Sequence, residues 1–86
     1  MDKAALFSRL QREERESADR LWSARLAYTD LVAQIGTRGS STDERLERLR
    51  QAGVEVRRLN QESIAATKRM IDYLMRGTVP EGYEDI

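Results

Sequence analysis

Carboxylates are the side chains in this sequence with the most scope for chemistry. Asp and Glu together number fifteen, and the neighbours Glu13-Glu14 and Asp43-Glu44 are candidates for general acid–base work or metal binding. A dimetal site in a helical bundle combines Glu with His from facing helices, but this sequence contains no His. We therefore expect both pairs to be solvated or paired with Arg. Glu14, on an apolar stripe, is expected to pair with Arg or to specify helix register.

Other catalytic groups are equally scarce. With no His and no Cys, the chain lacks the commonest general base, the commonest metal ligand and any thiolate. The segment 36–41 contains two Gly before a helix and is a weak candidate for anion binding, but a plain turn is the favoured interpretation. We expect no enzymatic activity, no catalytic residue, no cofactor and no metal.

Charge and hydropathy argue against a nucleic-acid-binding protein and against a membrane-spanning one. Fifteen basic and fifteen acidic residues give a net charge of zero, whereas phosphate binding depends on a positive excess. The longest uncharged stretch, residues 31–37, is far shorter than the roughly 20 residues that span a bilayer. We expect neither a nucleic-acid nor a membrane partner, and a cytoplasmic location.

The positions of Gly and Pro divide the chain into two long uninterrupted segments, which predict helices at about 3–35 and 42–76. The apolar stripe of the first, broken by polar residues at its middle, consists of Phe7, Leu10, Glu14, Ser17, Leu21, Ala24, Tyr28, Leu31 and Ile35, with Leu6, Ala18, Ala27 and Val32 at its flanks. Gly36 is expected to end this helix in a left-handed conformation.

The second helix has signals at both ends. Ser41 and Glu44 match the S-x-x-E capping box, with Ser41 as the N-cap, and Gly77 follows the last predicted turn. The apolar stripe consists of Leu49, Ala52, Val56, Leu59, Ser63, Ala66, Met70 and Tyr73. A second apolar row joins it near the end and consists of Ile64, Thr67, Ile71, Leu74 and Met75.

A link this short between two helices predicts an antiparallel, coiled-coil-like hairpin. We therefore predict an all-α protein in which residues 1–77 form the hairpin. Residues 78–86, with three acidic side chains and no basic one, form an acidic tail. The tail is expected to be flexible, although Tyr83 and Ile86 are able to pack on a neighbour.

A two-helix hairpin leaves apolar surface uncovered. The wide apolar arc at the end of the second helix needs a cover, as do Trp22 and Leu26. A second copy would give a helical bundle, and helices of another protein would serve equally. The candidate partner-binding residues are Leu59, Ile64, Met70, Ile71, Leu74, Met75, Trp22 and Leu26.

The stretch 56–64, followed by Met70-Ile71 and Leu74-Met75, resembles the last helix of the FlgN-like flagellar export chaperones over about 20 residues. The resemblance implies that this helix binds helical ends of hook-associated proteins, with Leu59, Ile64, Met70, Ile71, Leu74 and Met75 in a client groove. The chain departs from the family in its shorter length. Glu62-Ser63 also stands where the family often has Asn-Gly.

These observations predict a non-enzymatic protein–protein interaction module. It would act as a secretion-type or flagellar-type chaperone or adaptor that binds a helical partner, itself as a homodimer, or both. Two alternatives stay open. One is a small phage or bacterial regulator that blocks another protein, and the other is a purely structural coiled-coil subunit.

Overall fold

Two long helices make up nearly all of the structure, a computed structural model that describes residues 2–38 and 42–86. Helix α1 spans Lys3–Arg38 and helix α2 spans Asp43–Arg76. They pack side by side in opposite directions, so that Tyr28 of α1 lies against Gly53 of α2. The resulting rod measures 57 × 19 × 16 Å. The predicted all-α helical hairpin is confirmed.

The ends of α1 and α2 differ from the prediction in two places. Helix α1 continues through Gly36 to Arg38, and the left-handed glycines are Gly77 and Gly82 instead. A helical Gly costs only about 1 kcal/mol relative to Ala, which further helical hydrogen bonds offset. The predicted end of α1 at Gly36 is therefore wrong.

The N-cap of α2 is Thr42, one residue after the predicted Ser41, which lies outside the described residues. The Thr42 hydroxyl accepts a 3.3 Å hydrogen bond from the Arg45 backbone N–H, as an N-cap does. The C-terminus agrees with the sequence. Gly77 adopts a left-handed φ of 69°, and its N–H donates to the Tyr73 carbonyl at 2.9 Å.

The buried core lies in the half of the hairpin that holds the chain ends. Its members are Leu6, Leu10, Ser17 and Leu21 of α1, with Leu59 and Ala66 of α2. The predicted stripe is confirmed at Leu10 and Leu21, but Leu6 is fully buried whereas Phe7 is only half-buried. At about 100° per residue, Leu6 lies about 40° from Leu10 around the helix axis and Phe7 about 60° to the other side, so Leu6 is the closer of the two to the line of buried residues.

The half of the hairpin near the turn is more open. Tyr28, Val32 and Leu46 keep 38%, 45% and 47% of their surface exposed, although Tyr28 belongs to the predicted stripe of α1 and Val32 to its flank. Each helix can bury only one stripe against a single neighbour, so side chains at the edges of the stripe stay in contact with water. The buried apolar side chains among the described residues all lie at or beyond Leu21 and Leu59 as seen from the turn, so the interhelical packing is strongest away from it.

The C-terminal tail folds back onto the start of α1. The Asp2 N–H donates to the Ile86 carbonyl at 2.9 Å, and the Tyr83 hydroxyl reaches Glu13 of α1. The sequence allows Tyr83 and Ile86 to pack on a neighbour, and in the structure both contact the N-terminal part of the chain. The expected flexibility of the tail stays a prediction. A tail that moves away from α1 would have to break both of these hydrogen bonds.

Substitution by Ala is expected to have opposite effects at Gly53, inside α2, and at Gly77, its C-cap. A Cβ on Gly53 would lie 3.5 Å from Cε2 of Tyr28, an ordinary van der Waals contact, so Gly53→Ala should raise the free energy of unfolding by about 0.5–1 kcal/mol through helix propensity. Gly77→Ala should lower it by about 1–2 kcal/mol, because Ala is strained at positive φ. Urea unfolding at one protein concentration measures both; equal effects would contradict the assigned conformations.

Candidate protein interaction surface

Four apolar side chains near the end of α2 form an exposed row, which we call the α2 strip. Ile64, Ile71, Leu74 and Met75 keep 60%, 48%, 58% and 78% of their surface exposed. Ile64 and Ile71 lie seven residues apart and Leu74 three further on, so the row follows one side of the helix. The first half of the strip borders a shallow groove of about 410 Å³, lined by Ser63, Ile64, Thr67, Lys68 and Ile71.

Two of the predicted partner-binding residues, Leu59 and Met70, are less exposed than the strip. Leu59 is only 5% exposed and is part of the core, and Met70 is half-buried. Both lie on the α2 stripe that faces α1, about 100° or more around the helix from Ile64 and Ile71. Leu59 therefore stabilises the hairpin and is not accessible to a partner, which corrects its assignment to the partner-binding set.

The remaining two predicted residues lie on α1, apart from the α2 strip. Trp22 and Leu26 are 62% and 51% exposed. Trp22 directly follows the buried Leu21, so it points about 100° away from the core direction. With Leu26 one turn further on, it forms a second, smaller apolar patch. The structure thus divides the predicted set between a strip on α2, a patch on α1 and the core.

The opposite side of the hairpin carries a polar groove of about 440 Å³. Its lining residues are Glu13, Glu16, Ser17, Arg20, Glu62, Ala65, Ala66, Arg69 and Tyr83. The tail enters this groove through Tyr83, whose hydroxyl donates to the Glu13 carboxylate at 2.5 Å. The Arg9 guanidinium lies 4.4 Å from the Tyr83 ring centroid and pairs with Glu13 at 3.0 Å. We call Arg9, Glu13 and Tyr83 the tail clasp.

The tail clasp shifts the pKa values of two of its members. Burial raises the pKa of Glu13, but hydrogen bonds from Tyr83 and Arg9 and the charges of Arg9 and Arg69 outweigh it, so the net pKa is lowered. The pKa of Tyr83 is raised, first by its hydrogen bond to the Glu13 carboxylate and then by burial. Both shifts favour an ionised Glu13 beside a neutral Tyr83. Sequence spacing could not reveal this contact, because it joins residues 70 positions apart.

Further ion pairs join charged side chains within the same helix. On α2, Arg58 pairs with Glu55 and, at 2.6 Å, with Glu62. Such exposed pairs contribute about 0–1 kcal/mol each. Glu14 is half-buried, and the buried polar side chain nearby is Ser17, whose hydroxyl donates to the Glu14 carbonyl at 2.9 Å. Within 2–38 and 42–86, no three acidic residues are grouped so that they could hold a metal ion.

Comparisons with protein-family models, curated proteins and solved structures find no match for this chain. The resemblance to the FlgN-like chaperones therefore stays a prediction. In the part of the chain that the structure describes, neither helix has an apolar run long enough to cross a membrane.

The tail clasp predicts a pH-dependent contribution to stability. Tyr83→Phe keeps the ring beside Arg9 but removes the hydroxyl, and should lower the free energy of unfolding by about 1 kcal/mol at neutral pH. Because the pKa of Glu13 is lowered on folding, the wild-type contribution is present above the ordinary Glu pKa of about 4.3 and is lost as the pH falls through the folded pKa. Because the pKa of Tyr83 is raised, the contribution is also lost in alkali.

Thermal unfolding across the pH range measures this difference. Tyr73→Phe is the matched control, because no hydrogen bond of the Tyr73 hydroxyl is found among the described residues. The Tyr83 variant should differ most from wild type near neutrality and converge with it in acid, while the control tracks wild type throughout. A Tyr83 variant as stable as wild type at every pH would contradict an energetic role for the clasp.

Proposed function

We propose that this chain is a non-enzymatic protein–protein interaction module that binds a helical segment of its partner along the α2 strip. The observation that carries the proposal is the exposure of Ile64, Ile71, Leu74 and Met75 on one side of one helix. Contiguous apolar surface of this kind is uncommon on monomeric proteins and is typical of interaction sites. A helix laid along α2 would contact it through side chains one turn apart.

The proposed mechanism is the burial of an apolar face of the partner. Removing an Ile, Leu or Met side chain from water stabilises a contact by about 1.5–3 kcal/mol when burial is complete. The strip side chains are already partly shielded, so each contributes a fraction of that range. A partner helix held in this way is kept from aggregating or assembling early, which is the action of a chaperone or adaptor.

One feature of the structure and one of the sequence support this role. The strip lies beside the best-packed part of the molecule, because Leu59 and Ala66 of the same helix are buried against α1. A helix held by its own core presents a preformed surface, which reduces the entropy lost on binding. The resemblance to the FlgN-like chaperones, carried by residues 56–64 and the pairs Met70-Ile71 and Leu74-Met75, points to the same helix as the binding element.

The proposal is tested by placing charge on the strip. Ile71→Asp combined with Leu74→Asp removes two apolar contacts and would place carboxylates in a dry interface. The tagged chain is used to capture binding proteins, and each captured protein is then purified and titrated against the variants. We expect at least a hundredfold loss of affinity in the double variant, with most of the helical circular dichroism retained because Leu6, Leu10 and Leu21 are untouched.

The control variant combines Gln61→Asp with Ala65→Asp. Both positions are exposed on α2 and lie outside the strip, so this variant adds the same charge to the same helix. It should bind like the wild type. If no protein binds through the strip, or if the control loses as much affinity as the strip variant, the proposed function is wrong.

A further inference from the structure

The accessible surface of the chain is too large for a compact monomer of its mass. A folded monomer of 9.9 kDa exposes about 5,200 Å² by the usual scaling of area with mass. This chain exposes 6364 Å², an excess of roughly 1,200 Å² over that scaling. A stable protein–protein interface removes about 800 Å² from each partner. The excess is therefore of the size that one additional interface would remove.

The composition of the exposed surface indicates where that interface lies. The α2 strip contains Met75, which keeps 78% of its surface exposed, together with Ile64, Ile71 and Leu74. The tail occupies the polar groove through Tyr83 and Glu13, so it leaves the strip uncovered. The α1 patch of Trp22 and Leu26 has only two such side chains. The strip is the larger apolar surface without a cover.

We infer that a second copy of this chain covers the strip, α2 against α2, to form a symmetric four-helix bundle. The inference rests on the proposed function, because it uses the same surface and names the partner helix. A two-fold interface uses one patch twice, so that patch must be complementary to itself. An apolar row meets that requirement, and the zero net charge of the chain adds no overall repulsion between copies.

The spacing of the strip suits this pairing. Ile64, Thr67, Ile71 and Leu74 follow the alternating three- and four-residue steps of a coiled-coil seam. The same helix faces α1 with Leu59 and Ala66. Helix α2 would therefore be central to the bundle, in contact with α1 on one side and with the second α2 on another. Lys68, at the rim of the groove, can cover apolar neighbours with its methylene groups while its ammonium stays in water.

Sedimentation equilibrium of the full chain over a wide concentration range tests the inference. The wild type should sediment at twice the chain mass of 9.9 kDa. The Ile71→Asp, Leu74→Asp variant should sediment as a monomer, and the Gln61→Asp, Ala65→Asp control as a dimer. Met75→Glu is a milder variant at a position too exposed to affect the hairpin core.

This variant should weaken the dimer at least tenfold. It replaces the double variant in the experiment if the double variant unfolds.

A cross-linking experiment tests which surfaces meet, without destabilising the chain. The sequence contains no Cys, so Ile71→Cys introduces a single thiol near the middle of the strip and thus near the two-fold axis. Oxidation should join two copies of this variant covalently. Ser8→Cys, at an exposed position on α1, is the matched control and should stay largely uncoupled.

The outcomes separate the inference from the proposed function. A wild-type chain that stays monomeric while another protein binds through the strip overturns the second-copy inference and leaves the proposed function intact. A dimer that persists in the Ile71→Asp, Leu74→Asp variant, or equal cross-linking at both Cys positions, places the contact elsewhere and also overturns it. A monomeric wild type with no strip-dependent binding of any protein overturns both.

Discussion

The packing of one stripe of α1 against one stripe of α2 is the constraint on which the rest of this molecule depends. With two helices and no third layer, burial is possible only along a single line. Leu6, Leu10 and Leu21 from α1 and Leu59 and Ala66 from α2 occupy that line. Large apolar side chains off that line, among them Ile64, Ile71 and Met75, stay exposed to water, so the two-helix architecture itself leaves apolar surface uncovered.

The two broad faces of the hairpin differ in chemistry: one is polar and in contact with the tail, and the other is apolar and exposed. One face carries acidic and basic side chains together with the tail. The tail is held there by Tyr83, which donates a hydrogen bond to Glu13 and stacks against Arg9. The α2 strip has no such cover. This division explains how a chain with 35% charged residues and zero net charge can still present a contiguous apolar surface. It also explains why the interaction proposed here is apolar and helix-to-helix in character, and why it does not require a net charge on the partner.

Much of the fold follows from local patterns that the sequence displays directly. Two uninterrupted segments with three- and four-residue spacing predict two helices, and the short link predicts an antiparallel pair; both are confirmed. The end of α2 at Gly77 follows from the freedom of Gly at positive φ. The helix ends near the turn were predicted less well. A Gly such as Gly36 is tolerated within a helix, and neighbouring Ser and Thr residues compete for the N-cap position.

Composition and periodicity are enough to predict a helical chain, two amphipathic helices and more apolar residues on α2 than one stripe can bury. Which of those residues are buried depends on how the two helices pack. Periodicity assigns Leu59 to the main stripe of α2 and Ile64 to the second apolar row, and the contact with α1 buries Leu59 and leaves Ile64 exposed. The tertiary structure also decided the position of the tail, because the contact between Tyr83 and Glu13 joins distant parts of the chain. Helical periodicity is a local property, whereas the direction from which a second helix or a tail approaches depends on the whole assembled chain.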